Sequence, residues 1–276
     1  MDKNKILEER KKWYSQTFVL LEIVKCLKNR ELAFISAKGE LPKRVVRYMW
    51  AFAVDYLKKH FEWDYVNFYN NLINIYHSVA VIKGKLSYFS YNMNERMKDE
   101  KYQDFNKNYI DYVEGFNFFL DIDGKENPKD AYKDTQDIKK LFDDAKIPYY
   151  LLNSSLTGFH IHIPIEYMPK MKPEELLRMI GDVIYNLKGI YEFKCLDDSI
   201  ADLKRICKVP YSYVCDGSIA LPLSNYEFEN FSPEKVKMEY ILSNIMIKNR
   251  GLKIRTHGLD EEQLKKNVLQ FLNNYK

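Results

Sequence analysis

The chain has 276 residues, 46% hydrophobic and 15% aromatic, enough apolar material for one large core or two smaller ones. Lysine and arginine number 43 against 39 acids, a net charge of +4, so no strongly polybasic character is present and any anion-binding groove must come from local clustering. Only 10 glycines and 9 prolines argue against long disorder. No uncharged apolar run approaches the roughly eighteen residues of a membrane span, and the charged start Met1-Asp2-Lys3-Asn4-Lys5 leads to the expectation of a cytoplasmic protein.

In chain order, Trp13, Thr17, Leu20, Leu21, Val24 and Leu27 recur at helical spacing and predict an N-terminal helical segment. Glu31-Leu32-Ala33-Phe34-Ile35-Ser36 reads as a short strand. A second helix is expected from Pro42 to His60, with Lys43, Arg44 and Arg47 near its start. The β-rich run from Leu72 to Ile82 ends at Lys83-Gly84, and the charged, aromatic stretch from 85 to 113 receives no assignment. From Gly115 the pattern sharpens. Phe118-Phe119-Leu120-Asp121-Ile122-Asp123 is a strand, and Ile138, Leu141, Phe142 and Ala145 mark a helix. Pro148 to Leu152 and Phe159 to Ile163 are two further strands. Leu176, Leu177, Ile180, Val183, Ile184 and Leu187 form one face of a helix expected to stop at Gly189. This β-α-β-β-α order suits a small antiparallel sheet with helices on one face, a ferredoxin-like or RNA-recognition-like arrangement, and an α+β fold. Ser232-Pro233-Glu234 is expected to open another helix with Ser232 as its cap, and a last helix runs from about Asp260. The expected organisation is a core over 1–230, made of an N-terminal αβ module to about 112 and a sheet module from about 113, followed by a helical extension over 231–276.

Three segments carry candidate chemistry. Strand side chains alternate, so Asp121 and Asp123 share a face while Leu120 and Ile122 take the other. Two carboxylates at a strand end suit Mg²⁺ or Mn²⁺ better than a core. Asn153-Ser154-Ser155-Leu156-Thr157-Gly158 offers hydroxyls and backbone N–H groups for phosphate oxygens, and His160 and His162 share the strand face opposite Phe159, Ile161 and Ile163. The plain alternative is a hairpin with two exposed histidines. The third segment runs from Cys195-Leu196-Asp197-Asp198 to Arg205-Ile206-Cys207-Lys208-Val209-Pro210-Tyr211-Ser212 and Gly217-Ser218-Ile219-Ala220-Leu221-Pro222-Leu223. It sets another acid close to a basic pair. Of the cysteines Cys26, Cys195, Cys207 and Cys215, no pair has the spacing of a zinc ribbon, so reduced thiols are expected.

In this order the three segments resemble the motifs of the archaeo-eukaryotic primase superfamily: an hhDhD strand, an S-x-x-x-G-x-H turn, and an acid followed by a basic P-x-S segment. Asn29-Arg30-Glu31-Leu32-Ala33-Phe34, Lys43-Arg44-Val45-Val46-Arg47-Tyr48 and Ile75-Tyr76-His77-Ser78-Val79-Ala80 are similar to upstream segments of primase small subunits. The Pro210 to Leu223 stretch is similar to the polymerase domain of bacterial end-joining ligases. The resemblance implies a metal-dependent nucleotidyltransferase, a DNA primase or primase-polymerase taking NTPs or dNTPs on a single-stranded DNA template. It implies a two-metal site of Mg²⁺ or Mn²⁺ on Asp121, Asp123 and Asp197, with Asp198 and Asp202 as alternatives for the third acid. It implies nucleotide binding by Ser154, Ser155, His160, Arg205, Lys208 and Arg47, with His162, Arg30, Lys43 and Ser212 as further candidates. Any helicase or primase large subunit would be a separate chain. Two features depart from the family: Leu156-Thr157 stands where some primases keep a basic pair, and no zinc knuckle is evident.

Two rival readings come from other classes. His160-Ile161-His162 with Tyr191-Glu192-Phe193-Lys194 also looks like a rolling-circle initiator, whose two histidines hold a metal while tyrosine attacks DNA. A non-catalytic relative that binds single-stranded DNA is the other.

Overall fold

The computed structural model describes residues 3–36, 43–46, 73–83, 98–124, 127–244 and 251–276. In chain order the elements are α1 (Lys3–Tyr14), α2 (Thr17–Cys26), β1 (Glu31–Ser36), β2 (Lys43–Val46), β3 (Ile73–Ser78), β4 (Ala80–Ile82), α3 (Glu100–Lys107), β5 (Val113–Phe116), β6 (Phe118–Asp123), α4 (Pro128–Asp144), β7 (Tyr150–Asn153), β8 (Gly158–Ile163), α5 (Pro173–Tyr191), β9 (Ile206–Lys208), β10 (Pro222–Leu223), α6 (Asn225–Glu229), α7 (Met238–Ser243) and α8 (Glu261–Tyr275). The result is a mixed α+β fold with antiparallel sheets.

The sheet that carries the acidic strand has the order β10-β7-β8-β6. Its register follows from alternation: Phe118, Leu120 and Ile122 of β6, with Phe159, Ile161 and Ile163 of β8, are all buried in the main core. A slip by one residue would turn that whole set to the opposite face. The helix α4 packs on β6 and β8. Its start is fixed by Asn127, whose side chain accepts from the Lys129 N–H, with Pro128 in the first turn; Ala131, Thr135, Ile138 and Phe142 are its buried stripe. An isolated bridge between Ile122 and Leu196 lays the segment around Leu196 along the free edge of β6.

A second four-stranded sheet has the order β2-β1-β3-β9, so Ile206–Lys208, late in the chain, closes a sheet begun before residue 80. At the corner between β3 and β4 the Arg30 guanidinium donates to the carbonyls of Ser78 and Val79, both at 2.8 Å, and to Asn117 Oδ1 at 2.9 Å. The fully buried Trp13 donates from Nε1 to the Tyr211 carbonyl at 2.7 Å, tying α1 to the C-terminal half.

Several expectations need correction. Lys43–Val46 is a strand paired with β1, not the start of a helix; its ladder to Glu31–Phe34 and two β-branched valines favour extended backbone. The rest of that expected helix, Arg47 included, lies outside the described residues. Gly189 does not stop α5, which runs to Tyr191 and ends at Glu192 in the left-handed conformation (φ 54°). A single glycine costs a helix only about 1 kcal/mol, too little to break a long amphipathic one. Ser232 makes no capping hydrogen bond, and Pro233–Val236 is a 3₁₀ turn before α7. The N-terminal helical segment divides at Ser15 and Gln16 into α1 and α2. Within the stretch left unassigned, Asp99 caps α3 by accepting from the N–H groups of Lys101 and Tyr102.

Candidate active site

The antiparallel pairing of β6 with β8 sets Asp121 opposite His160 and Asp123 opposite Gly158. Across the pair His160 Nε2 lies 3.4 Å from Asp121 Oδ1. The third acid arrives through backbone contacts. The Asp123 N–H donates to the Cys195 carbonyl (3.0 Å), the Asp197 N–H donates to the Asp121 carbonyl (2.9 Å), and Asp134 Oδ2 of α4 accepts the Cys195 N–H (2.7 Å). These bonds place Asp197 next to Asp121. The other two candidates for the third acid point elsewhere: Asp198 pairs with Lys188 at 3.1 Å, and Asp202 Oδ1 accepts the Lys204 N–H.

Asp121, Asp123, Asp130 and Asp197 line one open cleft of about 610 Å³ together with Lys194 and Arg205. One guanidinium nitrogen of Arg205 spans two of the acids, donating to Asp121 Oδ2 at 3.1 Å and to Asp197 Oδ2 at 2.8 Å. Asp197 Oδ1 accepts from Ser199 N–H (2.9 Å) and Ser199 Oγ (2.6 Å). Burial alone would raise the Asp121 carboxyl, but His160, Arg205 and Lys208 outweigh it and bring the pKa down to about 2. Asp197 is likewise lowered: burial opposes, and Ser199 and Arg205 prevail. Both acids are therefore ionised across the neutral range.

An all-carboxylate donor set with no soft ligand suits a hard divalent cation such as Mg²⁺ or Mn²⁺. Here the guanidinium stands between Asp121 and Asp197, and among the described residues no three His, Cys, Asp or Glu side chains meet at ligand distance. Two acids already gathered around one cation fit a divalent ion in chemistry; in geometry they require Arg205 to withdraw.

Beside the acids, the turn before β8 is closed by its own backbone. The Ser154 N–H donates to the Gly158 carbonyl (3.0 Å), and the Gly124 N–H at the end of β6 donates to the Thr157 carbonyl (3.0 Å). A side chain at Gly158 would put Cβ 2.8 Å from Ser154 Oγ and 3.0 Å from Ser155 Oγ, so glycine is what lets both hydroxyls fold over the strand start. Lys208, on β9, donates from Nζ to the Ser154 carbonyl at 2.8 Å. Burial lowers the Lys208 ammonium pKa, while Asp216, Asp121 and Asp123 oppose that shift.

The histidines are not exposed, as a plain hairpin would have them: His160 and His162 are both buried. Tyr150 stacks on His162 (4.6 Å, 7°), and Phe119 lies against both rings at 4.9 Å. Among the described residues neither ring nitrogen of His162 has a hydrogen-bond partner. Arg30 is taken up by the carbonyls of the β3–β4 corner, and Ser212 is buried in the bend after Val209, its N–H donating to the Val209 carbonyl. The Tyr191 hydroxyl is bonded to that of Tyr275 (2.8 Å) and its ring stacks on Phe193, contacts that involve neither histidine. The side chain of Lys43 and all of Arg47 lie outside the described residues. All four cysteines are free thiols. Sequence reasoning missed Asp130, Asp134 and Asp216, and it named Lys194 only within the rolling-circle motif. Asp130 lines the cleft from α4, and Asp134, one turn further on, holds the Cys195 N–H; their helical spacing is the one signal that could have found them.

No protein-family model and no curated protein matches the chain. Among solved structures it is similar to the polymerase domain of Mycobacterium tuberculosis Ligase D in complex with DNA, with a TM-score of 0.53 at 10% identity, covering 88% of this chain and 89% of that one. Lower-scoring likenesses are to the primase RepB′ (TM-score 0.40, 9% identity, 94% of this chain and 64% of that one) and to the catalytic domain of RepB′ in complex with initiator DNA (0.37, 10%, 94% and 96%). The first of these shows the fold. The α+β fold expected from the sequence is met in that architecture.

Proposed function

We propose that this chain is a metal-dependent nucleotidyltransferase that builds or extends short strands on a single-stranded DNA template, a DNA primase or primase-polymerase. The observation that carries the reading is the gathering of Asp121, Asp123 and Asp197, from two distant segments, in one cleft beside Arg205. The fold shared with a DNA-bound polymerase domain supports it. The strand order from the Leu196 edge through β6, β8 and β7, with α4 on one face, reads as an RNA-recognition-like module.

In this reading Asp121, Asp123 and Asp197 hold Mg²⁺ or Mn²⁺, which when bound supplies the positive charge that acidifies an attacking 3′-hydroxyl and offsets charge on departing pyrophosphate. The chain's own groups do the rest. Ser154, Ser155 and Lys208 bind and orient the triphosphate of an incoming NTP or dNTP, with His160 beside Asp121 completing that wall. Arg205 exchanges its carboxylate partners for phosphate oxygens, so that nucleotide binding and clearing of the acidic cleft are one event. The 3′-oxygen, its proton released to water, then attacks the α-phosphorus in line, and the bond to pyrophosphate breaks.

The test is synthesis on unprimed and primed single-stranded DNA with labelled NTPs or dNTPs and Mg²⁺ or Mn²⁺. The wild type makes new or longer strands, and chelation with EDTA stops it. Asp121→Ala and Asp123→Ala lose activity by at least about a hundredfold with their melting temperatures preserved. Near-normal synthesis by either variant in Mn²⁺ rejects the assignment.

A further inference from the structure

The Ser154–Gly158 turn is gripped from two sides, and one grip comes from a residue to which the motif resemblance assigns no role. Asp216 Oδ2 accepts the Leu156 N–H at 2.8 Å. Its other oxygen, Oδ1, accepts from Ser218 N–H (2.9 Å) and Ser218 Oγ (2.6 Å), so the carboxylate is aimed by its own hairpin. That hairpin is itself fixed. Val214 N–H donates to the Ser218 carbonyl (2.8 Å), Gly217 adopts φ 89°, and Tyr213 bridges to Ile219. It is also joined to β7 just before the turn, since Asn153 Nδ2 donates to the Ile219 carbonyl and the Asn153 N–H to the Leu221 carbonyl. From the other side Lys208 holds the Ser154 carbonyl at 2.8 Å. Ser155 lies between the two grips, and the hydroxyls of Ser154 and Ser155 converge over Gly158.

We propose that Asp216 is the positioning residue of a phosphate-binding turn: by holding the Leu156 amide it fixes the Ser154 and Ser155 hydroxyls, beside Lys208, toward the triphosphate of a bound nucleotide. This deepens the nucleotidyltransferase reading and rests on it. A carboxylate near phosphate would ordinarily repel it. Here both oxygens are already met by donors, and the ammonium of Lys208 lies close enough to feel its charge. What Asp216 contributes is order: a turn fixed before binding does not lose that freedom when the nucleotide arrives.

The full chain is compared with Asp216→Ala and Asp216→Asn, the latter keeping one acceptor oxygen. Three quantities are read: affinity for ATP and for adenosine by calorimetry with Mn²⁺, KM and kcat for primer extension, and affinity for single-stranded DNA. Asp216→Ala weakens ATP binding and raises the triphosphate KM about tenfold, equivalent to about 1.4 kcal/mol, while kcat, adenosine binding and DNA affinity stay near the wild type. Asp216→Asn recovers part of the loss. A wild-type KM in Asp216→Ala overturns the proposal, as does an equal loss for ATP, adenosine and DNA, which marks a merely structural residue. A wild type that binds no ATP removes the nucleotidyltransferase reading and this proposal together, whereas a wild type that binds ATP beside an indifferent variant removes only the proposal.

Discussion

At the scale of single residues the cleft is defined by a charge balance. Asp121 and Asp197 would repel one another, and the guanidinium of Arg205 is the cation that holds them together. A divalent ion offered alone must displace that guanidinium and its two charge-assisted hydrogen bonds. Removing it therefore changes metal affinity in a direction that a simple loss of a binding residue does not. Arg205→Ala is expected to bind Mn²⁺ about tenfold more tightly than the wild type in the absence of nucleotide, the equivalent of about 1.4 kcal/mol, and to bind triphosphate more weakly. Calorimetric titration with Mn²⁺ alone checks this. Unchanged or weaker Mn²⁺ binding in the variant would show that the guanidinium does not compete for the cation position. The same balance explains why a sequence could name the residues but not their arrangement. The motif resemblance prefers Asp197 but leaves Asp198 and Asp202 open, and the pairing of the Leu196 segment with β6, including the bond from the Asp197 N–H to the Asp121 carbonyl, sets Asp197 beside Asp121.

At the scale of elements, local chemistry predicted most where an element is long and periodic. The faces of β6 and β8 follow from strict alternation, and α4 from its apolar stripe and Asn127-Pro128 start. Elements that depend on distant partners were not legible. Lys43–Val46 is a strand because β1 offers it a ladder, and β9, three residues long, exists only against β3. Asp216 reads as an ordinary turn former until its second oxygen is seen on Leu156. The end of α5 shows the same limit: glycine at 189 looked like a stop, yet the helix continues and an exposed Glu192 takes the left-handed position. A Cβ-bearing residue there is strained by roughly 1 kcal/mol, which glycine avoids at the cost of some unfolded-state entropy. Glu192→Gly is therefore expected to stabilise the fold by about 0.5 kcal/mol, read as a higher urea midpoint with an unchanged slope. A lower midpoint would mean that the Glu192 side chain contributes more than its backbone strain removes.

At the scale of the whole molecule, each four-stranded sheet encloses an imidazole, and the two lie near enough for one to act on the other. His77 on β3 has Cys207 Sγ of β9 at 3.6 Å, and His162 on β8 lies between Tyr150 and Phe119. Burial is the first cause that lowers both from 6.5, His77 to about 3 and His162 well below its ordinary value; Arg30 adds to both, and His160 and His77 act on His162. Groups with a depressed folded pKa stay neutral in the native state while the unfolded chain takes up protons, so the unfolded state binds more protons below 6.5 and stability falls as pH falls. Each such histidine gives a slope of about 1.4 kcal/mol per pH unit, and two give about twice that, from just below 6.5 toward 4. The lowered carboxylates Asp121 and Asp197 act in the same sense but only below about 4, whereas the half-buried His257, also lowered by burial, adds within the window. A variant isolates one contribution. His162→Phe keeps an aromatic ring between Tyr150 and Phe119, removes two nitrogens that have no partner among the described residues, and removes one titrating group. Relative to the wild type it is expected to gain about 2 kcal/mol between pH 6.5 and pH 5, measured as the difference in urea unfolding free energy at the two values. Parallel pH profiles for the two proteins would show that His162 takes up its proton as readily in the native state as in the unfolded chain, and that its place between Tyr150 and Phe119 accommodates a charge.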